Sequence, residues 1–332
     1  MAFSDGAGAL CSRVGVTALL LAGTALGCRS LTDDSAQPAL PGWDPERAEV
    51  IRWRADDPAF CQDKALEASG LAAADGRLYV AAEKYARLLV MDAAPDPEAR
   101  VVRLALPPHV ELEGVALSQR ELLLCDEAHA AVYQVSLESV REAAADDGAR
   151  PDRRLPVREL KLRGVTVRGG KIGFEGIEVD PRTGDVLLLL ERSSAPGGGC
   201  VSTLFRLRRL DDSLVLRGRP VNIELEDCAW RLTGLAWWGS TLIGLRSQFP
   251  GERYEVVTID QLTGDATVVL DLTETLRSLR LQGWGNNVEG IAFADDGALW
   301  LVSDNAVTGV IDDPRPAPAQ ELTLLVRVPA GG

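Results

Sequence analysis

Five stretches of this chain open the same way, with a polar residue, a glycine and a branched apolar residue, and no other feature limits the possible folds as strongly. They are Ser69-Gly70-Leu71, Glu113-Gly114-Val115, Glu175-Gly176-Ile177, Thr233-Gly234-Leu235 and Glu289-Gly290-Ile291, with glycines 44 to 62 positions apart. Self-similarity at a period of tens of residues marks a repeat architecture. In each unit the glycine starts a short strand pattern, a turn such as Asp75-Gly76 or Thr183-Gly184-Asp185 follows, and a second, more apolar run comes after it (78–82, 122–125, 186–190, 242–245 and 299–302). Turn chemistry of this kind between apolar runs is a hairpin signal. Third runs at 88–91, 132–135 and 254–259, and fourth runs at 101–106 and 266–272, extend the units.

Small antiparallel sheets at this period are propeller blades, whose faces stay apolar until neighbouring blades cover them. The expected fold is therefore an all-β β-propeller, five-bladed by repeat count, or six-bladed if a degenerate blade hides in a long spacing. The last unit lacks a fourth strand before the C-terminus, whereas 48–54 reads as an orphan strand, so this N-terminal strand is expected to close the last blade. Residues 136–148 and 272–281 read as short helices decorating the blades.

In a propeller the first strand of each blade lines the axis and the second runs antiparallel beside it. The start of one and the end of the other therefore share a face of the disc. At the starts stand Ser69, Glu113, Glu175, Thr233 and Glu289; at the ends stand Glu83-Lys84, Asp126-Glu127, Glu191-Arg192, Arg246-Ser247 and Asp304-Asn305. Carboxylates crowded at one mouth of a channel repel one another unless a cation neutralises them. Calcium, a hard ion that takes six to eight oxygen ligands, suits such a set. The expected metal ligands are Glu113, Glu175, Glu289, Asp304, Asn305, Asp126 and Glu191. His109 and His129 are the chain's two imidazoles and read as loop residues, which disfavours a His-rich zinc or iron site.

Arg13 followed by the apolar run 14–26 reads as an export signal. It ends in Ala25-Leu26-Gly27-Cys28, which resembles a bacterial lipobox, with Ala25 where leucine is usual. The expected organisation is a signal peptide over 1–27, lipidation at Cys28, a flexible tether over 28–45 and a single propeller domain over 46–332. Ordinary signal cleavage and a cytosolic protein with an apolar tail are the alternatives. Export permits disulfides, and the expected pairs are Cys61 with Cys125 and Cys200 with Cys228, with free buried thiols as the alternative. The formal charge of -14 argues against nucleic acid, because affinity for phosphate backbones comes from Lys and Arg. The expected protein is a monomer of the cell envelope that touches membrane through its lipid and meets a small molecule or a surface ligand.

The stretches 174–177 with 187–191, and 288–292 with 301–305, resemble the phytase-like propeller family described as having esterase-like activity, and 113–115 with 125–127 is similar to an earlier motif of that family. The resemblance spans most of 67–305 and implies a calcium-dependent phosphoesterase or esterase, with Glu289, Glu175 and Glu113 as catalytic groups. Lys84, Arg192 and Arg246 would bind the substrate anion. Ser69 and Thr233 depart from the Glu-Gly pattern. A lipase-type Gly-x-Ser-x-Gly elbow, a P-loop, a His-Glu-x-x-His helix and a dinucleotide-type glycine run are all missing from the sequence. Two function classes follow: a metal-dependent hydrolase of a phosphoester, ester or lactone, and a non-catalytic surface-binding propeller with a structural calcium.

Overall fold

The apolar runs that identify the repeat are nearly continuous rather than alternating, which requires strands covered on both faces. The structure, a computed structural model, shows how. It describes residues 39–56, 67–146, 153–167, 173–195, 198–248, 253–280, 287–304 and 325–331, all within one compact unit, Pro38–Gly332. Along the second strand of the first blade, Leu78, Val80 and Ala82 pack into one apolar cluster, while Tyr79 and Ala81 pack into another. In the third blade Val186 and Leu188 face one neighbour, and Leu187 and Leu189 the other. Alternate residues thus belong to the two seams on either side of a blade.

Five blades form the ring. The first contains Ala68–Ala74, Arg77–Ala82, Arg87–Asp92 and Glu98–Ala105; the second contains Leu112–Leu117, Glu121–Asp126, Ala131–Ser136 and Arg158–Arg163. The third is built on Phe174–Val179, Val186–Ser194 and Cys200–Leu210. Its outer edge carries two short strands, Ser213–Leu216 and Val221–Leu225, both paired to 200–210. The fourth blade is Trp230–Trp238, Thr241–Gln248, Arg253–Ile259 and Ala266–Asp271. The fifth has Asn287–Phe293, Leu299–Asp304 and Leu325–Val328 from the C-terminal end, and its outer strand is Glu49–Ile51, paired antiparallel to 325–328. The orphan N-terminal strand therefore closes the ring as its position in the sequence requires. Each of the five apolar clusters straddles one seam between consecutive blades, including the seam between the fifth and the first.

Helices Leu137–Ala145 and Thr273–Arg280 decorate the second and fourth blades. The first is capped by Ser136, whose side chain accepts from the Ser139 amide. The expected tether over 28–45 differs at its described end. Trp43 is buried, bridges to Ala330 and stacks on Phe293 with ring centroids 5.4 Å apart, so the packed unit begins before residue 46. An aromatic with an apolar ring beside it gains more from burial than from solvent. Cys28 and the expected export signal lie outside the described residues.

Candidate functional site

Every inner strand carries a β-bulge at the same place. Ladder pairing skips from Leu112 to Gly114, Phe174 to Gly176, Leu232 to Gly234 and Val288 to Gly290, and from Ala68 to Leu71 in the first blade. The skipped residues include Ser69, Glu113, Glu175, Thr233 and Glu289, the polar member of each repeat. A bulge leaves a residue out of the ladder and re-aims its side chain, so the repeat is a device for turning one polar group per blade toward the axis. The adjoining glycine lets the inner strands approach one another. A Cβ on Gly290 would stand 2.5 Å from the Ser69 carbonyl oxygen, one on Gly234 2.7 Å from that of Glu289, and one on Gly70 2.7 Å from the Val115 amide.

The result is a narrow neck of about 10 Å³ lined by Ser69, Glu113, Glu175 and Thr233 together with their glycines. All four polar residues, and Glu289, are buried. Burial, reinforced by the charges of Glu175, Glu83 and Glu289, holds the Glu113 carboxyl well above the usual carboxylate range. Burial and the charges of Glu191 and Glu289 do the same for Glu175, against the opposing pull of Arg231. Among the described residues none donates a hydrogen bond to the side chain of Glu113 or Glu175, and the buried Thr233 hydroxyl is without a partner. Ser69 is satisfied, its hydroxyl donating to the Leu112 carbonyl at 3.0 Å.

Arg231, which the sequence reading did not select, occupies the centre of the charge. Its guanidinium donates to Glu191 at 3.2 Å, Glu289 at 2.9 Å and Asn287 at 2.6 Å, while Asn287 also donates to Glu289 at 2.6 Å. Burial works against this cation, but the carboxylates of Glu289, Glu175 and Glu191 outweigh it and keep the guanidinium firmly charged. Arg231 stands two residues before Thr233, in one of the two repeats without a glutamate, and Asn287 stands at the matching place before Glu289. At the same offset in the first two blades are Glu67 and Glu111, which both pair with Lys84, at 3.4 and 3.0 Å. Polar side chains from four of the five blades therefore lie one step outside the first ring, with Gly173 at that place in the third.

The expected ligand set is not brought together as a whole. Glu191 and Glu289 are committed to Arg231. Asp126 is fully buried and saturated within its own corner, accepting from the Glu111 and Ala128 amides at 3.0 and 3.1 Å, from Tyr133 at 3.4 Å and bonding His129 at 2.6 Å. Asp304 ends its strand opposite Asn287; its side chain and Asn305 lie outside the described residues. Glu113 and Glu175 remain, with the Thr233 hydroxyl. Among the described residues no three His, Cys, Asp or Glu side chains are grouped to hold a metal ion.

The expected anion-binding cations are likewise engaged. Lys84 also pairs with Glu83; burial opposes its charge, but Glu83 and Glu111 raise its pKa well beyond the usual range. Arg246 is buried, donates to Glu255 at 2.6 Å and Glu226 at 3.1 Å, and lies 4.6 Å from the Trp230 ring centre. Arg192 is used at the rim, donating to the Cys228 carbonyl at 2.6 Å. His109 sits in a turn with φ +60° and lines a separate cavity of about 450 Å³ with Lys84 and Arg154.

Cys200 and Cys228 are joined by a disulfide that ties the third blade to the lead-in of the fourth. The bridge expected between Cys61 and Cys125 is corrected: Cys125 is a free, buried thiol. It points into the seam between the second and third blades, with Sγ 3.7 Å from the Phe174 carbonyl. Cys61 lies outside the described residues.

No family model matches the chain, and no curated protein matches it. Solved structures do. Glutaminyl cyclase from Myxococcus xanthus is similar at 16% identity over 86% of this chain and 97% of that one, with a TM-score of 0.51. The likeness is one of fold: the chain is an all-β propeller. Virginiamycin B lyase from Staphylococcus aureus (10% identity, 85% and 99% covered, TM-score 0.43) and the PQQ-bound aldose sugar dehydrogenase from Streptomyces coelicolor (13%, 87% and 99%, 0.39) are further off.

Proposed function

We propose that this propeller is a calcium-dependent hydrolase of a carboxylic ester or lactone, working at the acidic mouth of its channel. The observation that carries the reading is an excess of buried carboxylate: Glu113, Glu175, Glu191 and Glu289 interact with one another, and Arg231 is the cation set among them. Such a set is relieved by protons or by a hard cation. The donor chemistry fits calcium, since Glu113, Glu175 and Thr233 offer oxygens that no described residue uses. The protein would supply two carboxylates and a hydroxyl, and water and substrate the remaining ligands. Calcium supplies a Lewis acid that polarises a carbonyl oxygen. Glu289, gripped by Arg231 and Asn287, is the carboxylate placed to accept a proton, and Arg231 fixes its position. The pairing of Lys84 and Arg246 with carboxylates favours an uncharged ester over a highly charged phosphoester, since of the three cations only Arg192, held by a carbonyl, keeps its charge without a carboxylate partner among the described residues. The resemblance of the Glu-Gly strands to phytase-like propellers supports the esterase side of this reading.

The lipobox-like sequence before Cys28 supports export with lipid anchoring in the cell envelope, and the Cys200–Cys228 bridge suits an oxidising compartment. The test is turnover of a panel of esters, lactones and phosphomonoesters with calcium and with a chelator, comparing the native chain with Glu113→Gln and Glu175→Gln. The expected result is calcium-dependent ester or lactone turnover that both variants lose while their melting temperatures without calcium stay level or rise. Calcium stabilisation without turnover on any substrate would make the ion a structural plug, and indifference to calcium and chelator alike would refute the site.

A further inference from the structure

The other mouth of the channel is built from the far ends of the same inner strands and has the opposite character. There a cavity of about 210 Å³ is lined by Leu71, Leu117, Trp237, Ile291 and Phe293, with Glu178 as the titratable side chain on its wall. Glu178 is half-buried, and taking an unpaired carboxylate even partly out of water is costly. Glu178 accepts from the neighbouring Val179 amide at 2.9 Å, and among the described residues no cation faces it. Trp237 also brings a buried indole N–H that has no acceptor. Apolar side chains combined with a few polar groups are the usual form of a small-ligand site; this one, where strand backbone adds to the polar part of the lining, is smaller than the ~300 Å³ at the low end for such sites.

We propose that this second mouth binds a small organic ammonium, a protonated amine on a single ring or short apolar body, with Glu178 as its counter-ion and Trp237 against its apolar part. The carboxylate supplies the charge partner that an ammonium needs when it leaves water. An indole face attracts cations, and the Arg182 guanidinium already lies 5.9 Å from the Trp237 ring centre at the rim, itself held by Asp180 at 3.4 Å. A neutral ligand of the same shape would leave Glu178 unrewarded, and an anion would be repelled by it. Burial raises the Glu178 carboxyl to about 8, opposed by its Val179 hydrogen bond, so an arriving ammonium displaces a proton from an otherwise uncompensated group. The site is separate from the acidic mouth and does not depend on what happens there.

The experiment is calorimetric titration of the full chain at pH 8 with 2-phenylethylammonium, 2-phenylethanol and phenylacetate. The ammonium is expected to bind at least about tenfold more tightly than the alcohol, a difference of about 1.4 kcal/mol, with no detectable binding of the carboxylate. Glu178→Gln and Glu178→Ala are each expected to bring ammonium and alcohol within about threefold of one another, with circular dichroism unchanged and with acidic-mouth turnover unaffected. Retention of the ammonium preference in folded variants, equal affinity for ammonium and alcohol in the native chain, or no ammonium binding at millimolar concentration would each overturn the proposal.

Discussion

Replacing Arg231 with methionine tests the electrostatic account of the acidic mouth directly. The guanidinium lies 2.9 Å from Glu289 and 3.2 Å from Glu191; at an effective dielectric near 20 each contact is worth about 5 kcal/mol before desolvation. Bringing the arginine into the site costs several kcal/mol, but its removal leaves the carboxylates buried without their partner, and breaking such a pair typically costs about 3–5 kcal/mol. For a domain of this size that loss lowers the melting temperature by roughly 6–10 °C. The deficit has a definite pH dependence. Arg231 opposes the upward shift that burial gives the Glu175 carboxyl, so without it that carboxyl is held further above its value in the unfolded chain. The folded form then binds more protons, and its stability falls as pH rises through that interval. The variant should therefore stand closest to the native protein near pH 5 and furthest from it near pH 8. Arg231→Lys, which keeps the charge but not the planar fork, should fall between them. Calorimetric melts at the two pH values decide the matter: a deficit under about 1 kcal/mol, or one equal at both, would show that Arg231 does not neutralise these acids.

The neck makes a sharp steric prediction. Gly290→Ala, whose Cβ would meet the Ser69 carbonyl at 2.5 Å and Val302 at 2.6 Å, should cost about 1–3 kcal/mol in urea denaturation. Gly176→Ala, with its nearest contact at 3.4 Å, should be neutral or slightly stabilising, and equal losses at the two sites would refute the packing argument. Reducing the Cys200–Cys228 bridge, which closes a loop with a sequence separation of 28, should cost about 3–4 kcal/mol by loop entropy; a native melting temperature in the presence of a reductant would show that the blade junction holds without it.

Much of this was legible in the sequence because a propeller repeats its solution. Five Glu-Gly or equivalent units declared five blades, and near-continuous apolar second strands declared that both faces of each blade are covered. The unpaired strand near residue 50 declared how the ring closes, and its pairing with 325–328 bears this out. The repeat did not reveal that its polar residue is bulged, since the register slip between Val288 and Gly290 is a property of two paired strands and not of either alone. The free Cys125 was hidden for a related reason: strand alternation decides which seam a thiol faces, and Cys125 faces the third blade.

Arg231 is not marked by the repeat, because it stands outside the position that recurs. The informative comparison lies two residues earlier, where the equivalent places hold two glutamates, Glu67 and Glu111, then Gly173, Arg231 and Asn287. Variation there is what an asymmetric site requires. A ring of five identical glutamates would repel itself, so two blades carry Ser69 and Thr233 in its place, and the blade with Thr233 supplies the cation from the outer position. Glu67 and Glu111 in turn are held by Lys84. The fold needs the glycines to be alike, because every inner strand must come close to its neighbours, whereas the charge balance needs the flanking residues to differ. Departures from the repeat therefore mark the site more precisely than the repeat itself does.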